Sequence, residues 1–201
     1  MVLGNIVHSI TSTILFLLST ISIKKNIYWY SGIWLSFLYY FIDSILSYQK
    51  KEYIFIIHHI ISTGVFYNFL YLDNIFYYSL VTLLCEASSI FINFRFYLKE
   101  KKKLSFGFDI VSFIFYYIAR ILIGNYIIFN KIDTNNKLFI GLMGIAVMSH
   151  LWVLKWYNNL RFKATKLKIK MNIVYDYINI LLFIYTIFLI FKFINSLIYN
   201  K

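Results

Sequence analysis

The sequence has no proline, a single cysteine, seven glycines among 201 residues, and few charges: 14% Asp, Glu, Lys and Arg, of which only eight are acidic. Each shortage excludes something. Cys85 alone cannot form an intrachain disulfide framework, and its place inside an apolar run reads as packing. No segment repeats, no linker stands out, and no stretch is left over for a soluble domain, so residues 1–201 read as a single transmembrane domain. The missing proline accompanies an excess of Ile, Asn, Lys, Tyr and Phe, which reads as a nucleotide-composition bias without bearing on function. No lipidation motif or C-terminal retrieval signal is present. Met1 to Ile23 lacks the basic start and small-residue cleavage site of a signal peptide, and reads instead as a helix closed by Lys24 and Lys25.

What is abundant is apolar surface. The chain is 61% hydrophobic and 22% aromatic, with a mean hydropathy of +0.70, and this composition belongs to an integral membrane protein. Seven apolar segments, about 5–23, 28–48, 53–71, 75–98, 106–129, 138–157 and 173–197, approach the ~20 residues that a spanning helix needs. All should be helices, because lipid offers no partner to an unpaired backbone amide. The fold class is therefore all-α, a polytopic bundle of seven spans.

The net charge of +12 lies in short lysine clusters between the apolar runs, where the positive-inside bias and anionic headgroups account for it. Without a basic folded face, nucleic acid is not an expected partner. Lys50, Lys51, Lys99, Lys101 to Lys103 and the basic residues from Arg161 to Lys170 fall on one side of the plan. Fewer, namely Lys24, Lys25, Lys131, Lys137 and Lys201, fall on the other. The richer side should be cytosolic, which puts the N-terminus in the cytosol and the C-terminus across the membrane.

Polar residues that interrupt hydrocarbon mark the candidate site, since an ionised group at the bilayer centre costs about 2.5 to 3.5 kcal/mol or more. Between Glu52 and Arg95 stand His58 and His59, then Glu86, Asn93 and Arg95. At ~1.5 Å rise per residue, Asp43, His58 and His59 all lie roughly 9 Å inside the cytosolic boundary, with His150 at a similar level. Glu86 and Arg120 are deeper, about 17 and 20 Å, and can pair across helices.

Several roles fit these residues. Neighbouring positions on a helix point about 100° apart, so one of His58 and His59 can face a cavity while the other braces a helix. A histidine there can act as base, acid or nucleophile with Asp43 or Glu86 fixing its tautomer, or the two can serve as interhelical polar glue. Glu86, Ser89 and Asn93, spaced i, i+3 and i+7, form an inward stripe. Arg95 can tie to Asp109 or meet a lipid or coenzyme phosphate. Spacing of the H-E-x-x-H kind is absent, so no metal site is expected. Gly141, Gly144 and Ala146 allow close packing of the sixth segment.

The runs Tyr40-Phe41-Ile42-Asp43, Phe55-Ile56-Ile57-His58-His59 and Leu83 to Arg95 (Leu-Leu-Cys-Glu-Ala-Ser-Ser-Ile-Phe-Ile-Asn-Phe-Arg), with Ala119-Arg120 and Trp152, resemble the TLC domain family. That family is named for translocation-associated membrane proteins, ceramide synthases and a lysosomal-storage-disease protein, and the match covers about residues 28–160. The resemblance implies a six-helix TLC-like core around a cavity open towards the cytosol, leaving about 173–197 as one extra C-terminal helix. In the ceramide synthase branch, paired histidines and a later His-Asp-x-x-Asp group serve acyl transfer from acyl-CoA to a sphingoid amine. Here His58 and His59 match the pair, whereas the later group falls on Cys85, Glu86 and Ser89. Its histidine is missing, Glu86 replaces one carboxylate, and the other is lost. Ile90 also stands where the broader set of TLC domain-containing proteins usually has proline, and His150 near a usual asparagine.

The Glu-x-Ser-Ser form is closer to the broader TLC domain-containing proteins, with roles in membrane-lipid composition, lipid trafficking and cargo export. The resemblance thus implies a multi-pass protein of the endoplasmic reticulum or a related membrane that handles lipid in an intramembrane cavity, with membrane lipid as its partner. Its alternatives are an acyl-CoA-dependent acyltransferase of ceramide synthase type and a cargo receptor or scaffold. Catalytic candidates are His58, His59, Glu86 and Asp43, and substrate-binding candidates are Asn93, Arg95, Arg120 and His150. No resident cofactor is expected, and acyl-CoA enters only as co-substrate of the acyltransferase reading.

Overall fold

A computed structural model of the chain describes residues 2–22, 24–72, 75–132 and 137–167, together with Ile180, Ile184, Tyr185, Ile187, Phe188 and Phe191. The described residues form six helices and no strand: α1 (Val2–Ser22), α2 (Ile27–Gln49), α3 (Tyr53–Phe69), α4 (Phe76–Glu100), α5 (Phe106–Lys131) and α6 (Lys137–Lys166). The expected segment at 173–197 lies outside the described residues apart from those six isolated positions, each of them helical. Four helices are long and apolar enough to cross a membrane: α1, α4, α5 and α6. α3 has only 17 residues, and α2 has 23 but carries Asp43 and many Tyr and Ser.

Local chemistry fixes the ends. Asn26 caps α2 by accepting the Trp29 amide at 2.9 Å, and Ser105 caps α5 by accepting that of Phe108 at 3.2 Å. α2 and α4 close alike: Lys51 and Lys102 take positive φ, 59° and 55°, and the next amides return to Ser47 and Leu98 carbonyls at 2.9 and 2.8 Å. This left-handed closure usually takes glycine. With lysine in both places, each turn bears a backbone penalty of about 1 kcal/mol.

The sixth helix departs from expectation. The apolar segment at 138–157 predicts a helix end near Tyr157, yet the helix runs on to Lys166. Nothing in Asn158 to Lys166 breaks a helix, Leu160 and Ala164 are buried on its inner face, and Lys163 reaches an acidic group on α5. Composition marked the residues as polar, but one face of these roughly two and a half turns is still apolar or paired.

The helices pack antiparallel in a ring whose neighbour order is α1, α2, α3, α6, α5, α4 and back to α1. Trp29 on Phe69 joins α2 to α3, Phe55 on Trp152 joins α3 to α6, and Asn93 reaches Asn5 and Ser9 to join α4 to α1. Gly141 is needed where α6 meets α3, since a Cβ there would stand 2.6 Å from Val65 Cγ2. Gly144 faces Ile61 at an ordinary 3.7 Å, so of the two glycines expected to allow close packing only Gly141 is under steric demand.

Polarity is inverted relative to a water-soluble bundle. Leu3, Val7, Ile14, Leu38, Phe41, Ile57, Ile60, Val111, Ile118 and Leu122 are exposed, while Ser12, Ser36, Ser79, Ser88, Ser112 and His150 are fully buried. An apolar outside and hydrogen-bonding residues between helices suit lipid rather than water.

Candidate functional site

The ring encloses a cavity of about 370 Å³ to which all six helices contribute. Lys50, Glu52 and Glu100 stand at one end, a polar belt follows, and Phe69, Val81, Ile128 and Leu142 line the other end. The size lies within the roughly 300 to 1,000 Å³ of small-molecule sites. It is both polar and apolar along its length, so an amphiphile matches it better than a wholly polar solute.

One side of the belt carries Asp43 and the two histidines. His59 Nε2 stands 3.4 Å from Asp43 Oδ2, and the Tyr40 ring stacks over the His59 ring at 5.2 Å. A carboxylate facing Nε2 favours the proton there, which leaves Nδ1 with its lone pair. His58 turns instead to Trp152, edge to face at 5.0 Å. Among the described residues neither His58 Nδ1 nor His59 Nδ1, both buried, has a hydrogen-bond partner. Both histidines border the same cavity, and His58 at the same time braces α3 against Trp152 of α6. The hollow is wide enough to cover the arc between adjacent positions on α3.

The other side carries Glu86. Tyr40 donates its hydroxyl to Glu86 Oε1 at 3.1 Å, and His8 Nε2 lies 3.7 Å from Oε2. Arg120 was expected to pair with Glu86 by depth, but its guanidinium turns to α4 backbone and hydroxyls. Nε donates to Ser88 Oγ at 2.7 Å, and Nη2 donates to the Cys85 carbonyl at 2.7 Å and Ser89 Oγ at 2.6 Å. Equal depth on neighbouring helices does not set direction. The reason for the actual direction is local: residues Tyr117–Gly124 of α5 are π-helical, and the extra residue per turn swings Arg120 towards the α4 serines.

The remaining candidates divide. Asn93 borders the cavity and donates to the Asn5 carbonyl at 3.1 Å and to Ser9 Oγ at 2.8 Å. Arg95 lies away from it, with Nε on Asp109 Oδ1 at 2.5 Å and its guanidinium 4.6 Å above the Trp156 ring. His150 is also outside the cavity lining: its Nδ1–H donates to the Ala146 carbonyl at 2.9 Å, and its ring meets Tyr185 at 5.1 Å. Among the described residues no three His, Cys, Asp or Glu side chains stand together as a metal site.

Sequence reasoning passed over His8, Tyr39 and the Tyr40 hydroxyl. The signal for His8 was present, because Asn5, His8 and Ser12 repeat on α1 the i, i+3, i+7 spacing that singled out Glu86, Ser89 and Asn93 on α4. The chain is a membrane-embedded helical protein with a polar belt enclosed in its ring. Set beside family models, curated proteins and solved structures, it matches none of them.

Proposed function

We propose that this is a TLC-type multi-pass membrane protein that holds lipid in its ring and thereby affects membrane lipid composition. The observation that carries the reading is the cavity itself: enclosed by apolar-faced helices, apolar at one end and hydrogen-bonding in the middle. Protein purified in mild detergent should carry stoichiometric lipid on extraction and mass spectrometry. Ala146→Phe, which fills the cavity, should carry several-fold less, and membranes expressing the wild type should differ in lipid composition from those that do not. Lipid-free protein and an unchanged lipidome would return the scaffold reading to first place.

A second reading, acyl transfer from acyl-CoA, is favoured by the His59 and Asp43 pair. Labelled acyl-CoA added to the same preparation separates the two, because acyl transfer that depends on His59 is a chemical outcome that lipid holding alone does not give.

The proposal includes seven spans, residence in the endoplasmic reticulum or a related membrane, and a cytosolic N-terminus. Orientation is supported by the lysines at the turns after α2 and α4 and at the end of α6, which lie at the Asp43 end of the ring. The chain has no Asn-x-Ser/Thr site. One engineered at residues 101–103 should remain unglycosylated in microsomes, and glycosylation there reverses the orientation.

A further inference from the structure

We infer that His8 and Glu86, joined by Tyr40, form a second histidine–carboxylate centre in the cavity, and that it receives an uncharged, polyhydroxylated headgroup. The inference rests on the lipid-holding reading and names the chemistry of what is held. Three helices build the centre. The His8 ring of α1 lies flat on Tyr39 of α2, with centroids 3.7 Å and planes 6° apart, and its Nε2 faces the Glu86 carboxylate of α4. Tyr40 links this centre to the first, since its hydroxyl is on Glu86 and its ring on His59.

Helix docking does not require these groups. α1 and α4 are already joined by Thr20 to Ser79 at 2.8 Å, by Ser79 to the Phe16 carbonyl at 3.1 Å, and by Asn93. A histidine and a glutamate within a membrane bundle are costly where serine and asparagine already do the joining. Both border the cavity, which gives them something other than each other to meet.

The groups still unused at this centre define the headgroup. Among the described residues the cations bordering the cavity are Lys50 at its mouth and Arg120, and Arg120 is committed to Cys85, Ser88 and Ser89. A phosphate or carboxylate beside His8 would meet the Glu86 carboxylate first, because the Arg120 guanidinium, though still charged, is turned to Cys85, Ser88 and Ser89. An amine would find Tyr40 and His8 already facing the two Glu86 oxygens. What remains is neutral: Asn93 spends its amide hydrogens on Asn5 and Ser9, and among the described residues nothing donates to its carbonyl oxygen or accepts from the Ser9 and Tyr39 hydroxyls, all three of which line the cavity. Alternating neutral donors and acceptors fit several hydroxyls at once.

The test uses the full chain in nanodiscs, with radiolabelled 1-monolauroylglycerol as probe and unlabelled dodecanol, laurate, dodecylamine and dodecyl phosphate as competitors. Equal chain length cancels the tail, so competition reads the headgroup. The glycerol ester should bind about tenfold tighter than dodecanol, as expected for one or two well-made hydrogen bonds, and tighter than all three charged amphiphiles. His8→Phe keeps a ring on Tyr39 but no nitrogen, and should bind the ester no better than dodecanol. If His8→Phe does not fold, Asn93→Leu at the same wall reads the same selectivity. Equal affinity across the series, preference for a charged amphiphile, or ester preference that survives the substitution would overturn the inference and leave lipid holding intact. Failure of every amphiphile to bind would instead overturn lipid holding, and the inference with it.

Discussion

Asp109→Asn should lower the stability of the bundle by about 3 to 5 kcal/mol, the usual cost of removing one partner from a buried ion pair. Asp109 is fully buried near the start of α5 and has three partners from two other helices. Arg95 of α4 donates to Oδ1 at 2.5 Å, Trp156 of α6 donates to the same oxygen at 2.8 Å, and Lys163 of α6 donates to Oδ2. Asparagine keeps the shape but removes the charge, which leaves two cations side by side and turns an amide group towards one of them. Lys163→Met should cost far less, because its side chain is 41% exposed and water can replace the contact. Urea or SDS unfolding in one detergent, followed by tryptophan fluorescence, ranks the two variants. Equal losses would mean that Asp109 is not the hub of the junction.

That junction shows how far the sequence could be read. The Arg95 to Asp109 tie was legible, because both residues fall near the same ends of consecutive segments. Trp156 and Lys163 were not, because their roles depend on α6 continuing past the point where hydropathy drops. Apart from the end of α6, the described helices were legible to within a few residues, since a long apolar run has one way to satisfy its backbone in lipid. Lateral direction was the part that hydropathy does not encode. Arg120 turns to α4 serines because of a π-helical stretch, His150 turns away from the cavity to Tyr185, and His8 turns inward from a helix in which no site residue was expected. A polar residue in an apolar segment therefore signals burial more surely than it signals a partner.

Arg120→Lys should be more destabilising than Arg120→Met, even though lysine keeps the charge. The guanidinium reaches Ser88, Ser89 and the Cys85 carbonyl from two nitrogens at once and lies 4.8 Å over the Tyr116 ring. A lysine ammonium is a compact, strongly hydrated charge that cannot cover this fork or replace the stacking. It would remain buried with part of its hydrogen bonding unmade, at a cost of about 3 kcal/mol, taking charged hydrogen bonds at about 1.5 to 3 each. Methionine removes the buried charge, and the two serines left behind stay satisfied because each already donates to the Cys85 carbonyl, at 2.8 and 3.0 Å. Replacing a buried ion by an apolar side chain of similar volume is often near neutral when nothing is stranded. The comparison thereby tests Glu86 as well, whose contacts are Tyr40 and His8 rather than Arg120. Were Glu86 dependent on Arg120 for its counter-charge, methionine would strand it and become the worse substitution. Thermal unfolding of both variants beside the wild type decides the order, and methionine below lysine would make the guanidinium the counter-ion of Glu86 across the cavity.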